Sequence, residues 1–293
     1  MLNLLKKMRN VLITGAGSYV GESVRRYILS TSSDFEIDAV DTMNDAWKEA
    51  DFSKYDVVYH VAGIAHVNAD PKMEALYYKV NRDLTVEVAR AAKAAGVKQF
   101  IFMSSQIVFH ESQSLKTEVL TADTKENPNG FYGDSKLQAE IGIRALEADS
   151  FRVVILRPPM IYGPGCRGNY PVLSRLARKL PLFPYVENQR SMLYIENLCT
   201  FVRLMIDNGE RGTFWPQNAE YSNTCDMVAM IAAEHGKRIH FVRGVTWLLR
   251  LMGHCTGMVN RAFGNLSYSR ELSRYKEAYQ TVSLQESIRR TEV

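Results

Sequence analysis

The sequence predicts an α/β protein: a doubly wound parallel sheet with a smaller, irregular C-terminal lobe. Three observations carry that expectation. Short β-branched and aliphatic runs alternate with stretches whose apolar residues recur at helical spacing, the pattern of repeated β-α-β units. The first of those runs enters a glycine-rich turn and then a helix. After Arg157 the alternation gives way to Pro158-Pro159, Gly163-Pro164-Gly165, Pro171, Pro181 and Pro184, residues that interrupt regular structure.

The first strand, Asn10-Val-Leu-Ile, leads into Thr14-Gly15-Ala16-Gly17-Ser18-Tyr19-Val20-Gly21 and then a stretch that can be helical to about Ser30. A strand, a tight turn and a helix N-terminus form an anion site, because unpaired backbone N–H groups and the helix dipole face the ligand. Glycines let the backbone approach a pyrophosphate where a Cβ would block it. Alone, the turn reads more readily as an ordinary turn with two glycines; the strand before it and the helix after it favour the anion site. Asp41 closes the next strand-like run, Phe35 to Val40. An acid there can accept hydrogen bonds from both adenosine ribose hydroxyls and repels a 2′-phosphate, which favours NAD over NADP.

Further along, Asp56-Val-Val-Tyr-His-Val-Ala62-Gly63 reads as a buried parallel strand. Leu76 to Ala95 carries helical spacing with Gly96 as C-terminal cap. Gln99 to Ser105 is the next strand, Tyr132 to Leu146 a second long helix, and Phe151 to Arg157 another strand. Ligands of such sheets sit beyond the C-terminal strand ends, where Gly15, Gly63, Ser105 and Pro158 all fall. Arg190 to Asn197 reads as a strand returning to the sheet, followed by a helix to about Asp207. The expected division is a dinucleotide-binding domain over 8–157, with 192–210 returning to it, and a substrate-binding lobe over 158–191 and 211–293. The short segment between Asp41 and Asp51 indicates that one strand–helix excursion is trimmed.

Composition narrows the partners. With 293 residues and 46% hydrophobic content the chain can bury a full core. A formal net charge of +4 without a basic block gives no sign of nucleic-acid binding. The four cysteines, Cys166, Cys199, Cys225 and Cys255, are far apart and fit reduced thiols in a cytoplasmic protein. Met1 to Met8 is too short and too charged for a signal peptide, and Met8 is a second possible start. The apolar patch from Trp247 to Met252 is much shorter than a membrane span and reads as a core or lid helix. No membrane partner and no metal are assigned. His60, His66 and His110 read as structural histidines.

The chemistry centres on Phe131-Tyr132-Gly133-Asp134-Ser135-Lys136. On a helix, Tyr132 and Lys136 share one face. A phenol with a reference pKa near ~10 is a poor acid or base at neutral pH, and a nearby ammonium favours its phenolate. Together with the glycine turn, this pair resembles the extended short-chain dehydrogenase/reductases with their Rossmann-type sheet. It matches in particular the NAD-dependent epimerase/dehydratase family, which acts on nucleotide sugars. The match runs from about Asn10 to Leu198, and Ser283 to Ile288 looks like the family's closing helix.

The resemblance implies that Ser105, Tyr132 and Lys136 are catalytic. Ser105 would bond the sugar's O4 and the tyrosine, Tyr132 would be the acid/base, and Lys136 would bind the nicotinamide ribose and depress the tyrosine's pKa. By the same resemblance, Gly15, Gly17, Ser18, Tyr19, Val20 and Asp41 bind cofactor. Asp51 and Phe52 would lie against its adenine, and Val61, Ala62 and Gly63 under its pyrophosphate and ribose. Asn81 would support the site, and Pro159 and Met160 would lie beside the nicotinamide. Asn169, Arg190 and Ser105 would contact substrate, the arginine through a fork that holds two phosphate oxygens. Arg190 as a solvated charge remains the plainer alternative. Two departures stand out: Ser18 occupies a usual glycine position, and Met160 replaces an asparagine common in the family.

Dehydratases typically carry an Asp-Glu pair directly after the catalytic hydroxyl residue. Gln106-Ile107 stands there and cannot shuttle a proton at neutral pH. The expectation is therefore an NAD-dependent 4-epimerase of a UDP-hexose or UDP-N-acetylhexosamine. An NAD(P)H-dependent 4-keto-sugar reductase is the alternative, and a non-catalytic NAD(H) sensor the third reading. A homodimer through Met73–Ala95 and Tyr132–Leu146 is expected from the resemblance.

Overall fold

The computed structural model describes residues 8–43, 45–65, 70–110, 118–244 and 264–293. His66, Cys255, the Trp247–Met252 patch and Met1 to Lys7 lie outside them. In chain order the strands are β1 (Arg9–Thr14), β2 (Phe35–Val40), β3 (Val57–His60), β4 (Gln99–Met103), β5 (Glu118–Leu120), β6 (Arg152–Leu156), β7 (Met160–Tyr162), β8 (Leu182–Pro184), β9 (Met192–Tyr194), β10 (Gly212–Phe214), β11 (His240–Val242) and β12 (Leu266–Tyr268). The helices are α1 (Tyr19–Thr31), α2 (Glu74–Tyr77), α3 (Leu84–Ala94), α4 (Phe131–Arg144), α5 (Asn169–Lys179), α6 (Ile195–Asp207), α7 (Thr224–Glu234) and α8 (Leu284–Glu292).

The chain forms two compact units that interleave along the sequence. The first comprises Met1–His110, Glu126–Arg157 and Leu198–Phe214, the second Glu111–Lys125, Pro158–Asn197 and Trp215–Val293. Relative to the expected division, residues 111–125 and 192–197 fall in the second unit and 211–214 in the first.

The first unit is built on a six-stranded sheet in the order β10-β6-β4-β3-β1-β2, with every pairing parallel. All residues of β3 and β4 are buried, which explains why those runs are mostly apolar, apart from His60 and Gln99 at their ends, rather than alternating. Leu12, Val58, Phe100, Phe102, Val153 and Ile155 pack in one cluster with Val88, Ala89 and Ala92 of α3 and Ala139 and Ile143 of α4. Burying a large aliphatic or aromatic side chain is worth about 1.5–3 kcal/mol. The alanines let the helices approach the sheet closely.

Strand order reverses between β1 and β3, and β2 is the sheet edge. Between β2 and β3 the described residues form only two 3₁₀ turns, Ala46–Glu49 and Phe52–Lys54. The excursion is trimmed, as the short Asp41–Asp51 segment indicates.

Two expectations need correction. The strand that returns to the sheet is β10, beside β6, not the run after Arg190. That run forms β9, which pairs in parallel with β7 in the second unit, so Met192, Leu193 and Tyr194 satisfy their backbone and bury their side chains there. Second, the helix from Leu76 to Ala95 is not uniform. A π-helical turn, Tyr78–Asp83, separates α2 from α3, while Gly96 caps the end with φ +85° as expected.

In the second unit, Tyr162 shares a short hydrogen bond with Ser287 (2.5 Å) and accepts one from Asn218 (3.0 Å). Asn197 accepts from the Val282 amide (3.0 Å). These buried bonds seat α8, which Ser283 caps through the Glu286 amide.

Candidate active site

Because the six strands run in parallel, their C-terminal ends share one edge, and the loops that follow them meet there. The Gly15 and Ala16 amides both donate to the Val40 carbonyl (2.9 and 3.1 Å), fixing the glycine turn beside the residue preceding Asp41. Gly15 has φ +108°, and a Cβ on it would lie 2.8 Å from the Ala62 nitrogen. Only glycine fits there. Val61 and Ala62 donate in turn to the Thr14 carbonyl (3.0 Å each). The turn and the 61–63 loop thus form one continuous backbone ledge.

Ser18, the departure from the usual glycine, adopts an ordinary extended conformation (φ −71°, ψ 141°) and caps α1 by accepting from the Gly21 amide (3.2 Å). A serine N-cap costs the turn nothing and keeps the helix N-terminus ordered. Tyr19 and Val20 supply the first helical residues. The Gly17 amide, just before this helix end, donates to a carboxylate oxygen of Glu22 (3.3 Å). Asp41 is exposed after the end of β2 and accepts from the Met43 amide (2.9 Å).

Asp51 accepts from the Ser53 amide and hydroxyl (3.1 and 2.6 Å), and these bonds hold its carboxyl below the usual range. The Phe52 ring is buried, edge-on to Trp47 at 6.4 Å. Its ring belongs to the core, so its backbone is what it can offer an adenine.

The π-turn turns Asn81 inward. Its amide accepts from the Ile64 N–H (2.8 Å) and donates to the Ile64 carbonyl (3.1 Å) and the Ser135 hydroxyl (3.2 Å). This staples the loop after β3 to α4, in keeping with the functional placing of such turns. His60 is fully buried, bonded to Thr14 (2.6 Å) and Thr85 (3.0 Å) and stacked near Phe100 and Phe102. Burial, aided by the Lys136 charge, pushes its pKa down to about 3. It is the structural histidine expected. His110 is half-buried at the end of the first stretch of the unit.

Lys136 is buried on the inner face of α4, donates to the Met103 carbonyl (3.0 Å) and lies 4.7 Å from the Phe102 ring centroid. Burial lowers its pKa to about 8, with Glu140 pulling the other way. A Cβ on Gly63 would come within 3.0 Å of Nζ, so the ammonium is packed under the 61–63 loop. One turn earlier, a Cβ on Gly133 would lie 2.6 Å from the Ile107 carbonyl. These contacts bracket Ser105 in sequence and hold Tyr132's helix against the loop that carries it. Ser105 is half-buried and accepts from the Ile107 amide (3.3 Å). Tyr132 is half-buried with its ring 5.8 Å from that of Tyr77.

Sequence reasoning missed what lies behind these groups. Glu140 and Arg157, 0% and 1% exposed at their side chains, form an ion pair through Nη2 (2.6 Å) and Nε (3.0 Å). Ser104 donates to Glu140 (2.5 Å), Arg144 adds a further bond (3.0 Å), and Glu126 completes the arginine's fork (2.6 Å). Burial opposes the guanidinium charge, but the two carboxylates prevail and hold its pKa above the ordinary value. Glu140's place four residues after Lys136, on the same helix face, was the available signal.

The other named residues belong to the second unit. Pro159 and Met160 lead into β7, where Met160 registers with Met192. Asn169 opens α5, and half-buried Arg190 pairs its backbone with Ser222.

The model of the NAD dependent epimerase/dehydratase family matches residues 11–215. The chain belongs to this family. A UDP-glucose 4-epimerase of Vibrio cholerae is 31% identical over 93% of this chain and 90% of its own. The N-acetyl-alpha-D-glucosaminyl-diphospho-ditrans,octacis-undecaprenol 4-epimerase of Escherichia coli O157:H7 is 27% identical over 87% and 81%. In fold, the chain resembles the UDP-glucuronic acid 4-epimerase of Bacillus cereus solved with NAD, with a TM-score of 0.72, 18% identity and coverage of 97% and 95%. The glycine turn fits what this NAD-dependent family requires: a ledge a Cβ would fill at Gly15, and the Gly17 amide before the helix N-terminus already donating to a carboxylate.

Proposed function

We propose that this enzyme is an NAD-dependent 4-epimerase of a UDP-hexose or UDP-N-acetylhexosamine. The observation that carries the reading is the bracket of α4 on the Ser105 loop, with Lys136 bonded to Met103 and Gly133 against Ile107. It supports Ser105, Tyr132 and Lys136 acting as one catalytic group. The Vibrio and Escherichia relatives, both named as 4-epimerases, support the position of reaction.

The dinucleotide would rest on Gly15, Gly17, Ser18, Tyr19 and Val20, with Asp41 at its adenosine ribose, Asp51 and the Phe52 backbone at adenine, and Lys136 at the nicotinamide ribose. NAD held by these residues would supply the hydride chemistry at C4, acceptance from one face and return to the other. Tyr132 takes the O4 proton as the hydride leaves and restores it afterwards. Ser105 donates to O4 and orients it. Lys136, on the same helix face as Tyr132, would supply a positive charge toward the phenol and so favour its proton-accepting form. Val61, Ala62 and Gly63 form the ledge beneath, and Asn81 fixes it. Pro159 and Met160 are assigned to the nicotinamide side, and Asn169 and Arg190 to the substrate diphosphate.

The same residues would serve a reductase, and Asp41 is what favours NAD and a cofactor that stays bound. Incubating the protein with UDP-galactose and UDP-GlcNAc, without added cofactor, should give C4 epimers by NMR. No interconversion, with consumption of NAD(P)H by a 4-keto sugar, would assign the reductase instead. Exposed Leu76 and Ile141, on α2 and α4, support a homodimer through Met73–Ala95 and Tyr132–Leu146, which light scattering at micromolar concentration tests.

A further inference from the structure

We propose that one face of the second unit, formed by α5 and the β8–β11 ribbon, seats the protein on an anionic bilayer surface. Helix α5 is amphipathic in the unusual sense that both sides are apolar in part. Tyr170, Ser174 and Ala177 are buried, whereas Val172, Leu176 and Leu180 recur every fourth residue with exposures of 48%, 37% and 40%. That spacing draws one stripe along the outer side.

The chain continues directly into β8, which pairs in parallel with β11 so that Leu182 registers with His240, Phe183 with Phe241 and Pro184 with Val242. Side chains alternate across a strand. Phe183 is buried, in edge contact with Phe241 at 6.4 Å, which leaves Leu182 and Val242 on the opposite face, 56% and 38% exposed. The end of α7 adjoins this corner, since Lys237 donates to the Arg178 carbonyl. Exposed apolar groups on a helix and on a ribbon thus lie on consecutive and hydrogen-bonded pieces of backbone.

Charge identifies the occupant. Arg175, Arg178, Lys179, Lys237, Arg238 and Arg243 lie on these segments, and residues 166–184 and 235–244 contain no Asp or Glu. The acids on packed elements are Asp226 and Glu234 on α7 and Glu286 and Glu292 on α8, with Glu187 beside the ribbon. Glu187 accepts from Tyr185, Glu286 is bonded to Arg289 and Arg290, and Glu292 is taken by Ser174 and His235 (2.8 Å each). A second copy in a two-fold contact would set this positive face against itself. Residues 245–263 carry Arg250 and Arg261 and again no acid, so they offer no complementary charge. Anionic headgroups over acyl chains complement both features, as for helices that lie in the interfacial plane. Among the described residues no helix is long and apolar enough to cross a membrane. The contact is with the surface, and it goes beyond the sequence reading, which assigned no membrane partner.

The test is co-sedimentation of the full chain with vesicles of phosphatidylcholine alone, or with roughly a third phosphatidylglycerol. Binding is expected to the mixed vesicles only and to weaken with added salt. The triple variant R175E/R178E/K179E should lower the partition about a hundredfold, each basic residue being worth about fivefold. Val172→Ser with Leu176→Ser should weaken binding while leaving the thermal midpoint within a few degrees. Equal partition of wild type and charge variants, or no vesicle binding, overturns the proposal. So does a loss of oligomer by light scattering in the Val172/Leu176 variant without change in partition, which would assign the face to a second copy. None of these readouts uses epimerase activity, so the proposal stands or falls separately from the proposed function.

Discussion

The Lys136 ammonium donates to the Met103 carbonyl at 3.0 Å, tying the helix that carries Tyr132 to the strand end that leads to Ser105. The bond explains how a buried cation is tolerated, since its neighbours are a carbonyl, an aromatic face and the Glu140 charge. Replacing Lys136 with Met keeps the volume and removes the charge. Turnover is expected to fall by about 10²–10⁴-fold, the usual range for disabling an acid/base partner, with the fold retained by circular dichroism.

Tyr132→Phe separates catalysis from binding. The ring remains, its contact with Tyr77 remains, and only the hydroxyl is lost. Turnover should drop by about 10²–10⁴-fold while NAD affinity, read by fluorescence titration, stays within a few-fold. An unchanged rate would remove Tyr132 from the acid/base role.

Glu140→Gln leaves the Arg157 guanidinium buried with Glu126 as its charged partner. Breaking one side of a buried pair typically costs about 3–5 kcal/mol, and replacing both sides with apolar groups costs far less. Urea denaturation should therefore show E140Q to be much less stable than the double variant E140L/R157M.

His60 makes stability pH-dependent. Its folded pKa is about 3, below the reference of about 6.5, so between these values the unfolded chain binds one more proton. Stability contributed by neutral His60 is complete above about 6.5 and is lost as pH falls toward 3, at about 1.4 kcal/mol per pH unit. His60→Gln should flatten the slope of unfolding free energy against pH in that window by about one proton.

Asp41 is the residue proposed to set cofactor choice. Asp41→Ser removes the carboxylate that would repel a 2′-phosphate, so the NADP-to-NAD affinity ratio should rise at least about tenfold, roughly one favourable charge contact. Competitive titration of the two dinucleotides measures it.

Much of this architecture was legible because it rests on backbone chemistry that residue type dictates. Gly15 marks a turn no other residue enters, and β3 and β4 announce themselves as buried by the apolar runs Val57 to Tyr59 and Phe100 to Met103. Helix α4 places Tyr132 and Lys136 by spacing alone. What stayed hidden depends on partners distant in sequence. The return of Gly212–Phe214 to the sheet was obscured because three residues carry little pattern, while Met192–Tyr194 looked the better strand and found β7 instead. The π-turn at Asn81 disturbs the helical period by a single residue. The Glu140–Arg157 pair links positions 17 apart in sequence, and Arg157 read simply as the end of a strand. The outward stripe of α5 was invisible because Val172 and Leu176 look like core residues until their exposure is known.

The last strand of the sheet, β10, comes from a stretch made after Pro158–Asn197. During synthesis the edge of β6 therefore waits for Phe214, whose carbonyl receives the Arg157 amide at 2.9 Å. A nascent chain halted before that point carries an unpaired strand border, the kind of surface on which incomplete polypeptides stick together. Ribosomal pausing beyond position 157 would thus expose the growing molecule to aggregation until its final ladder closes.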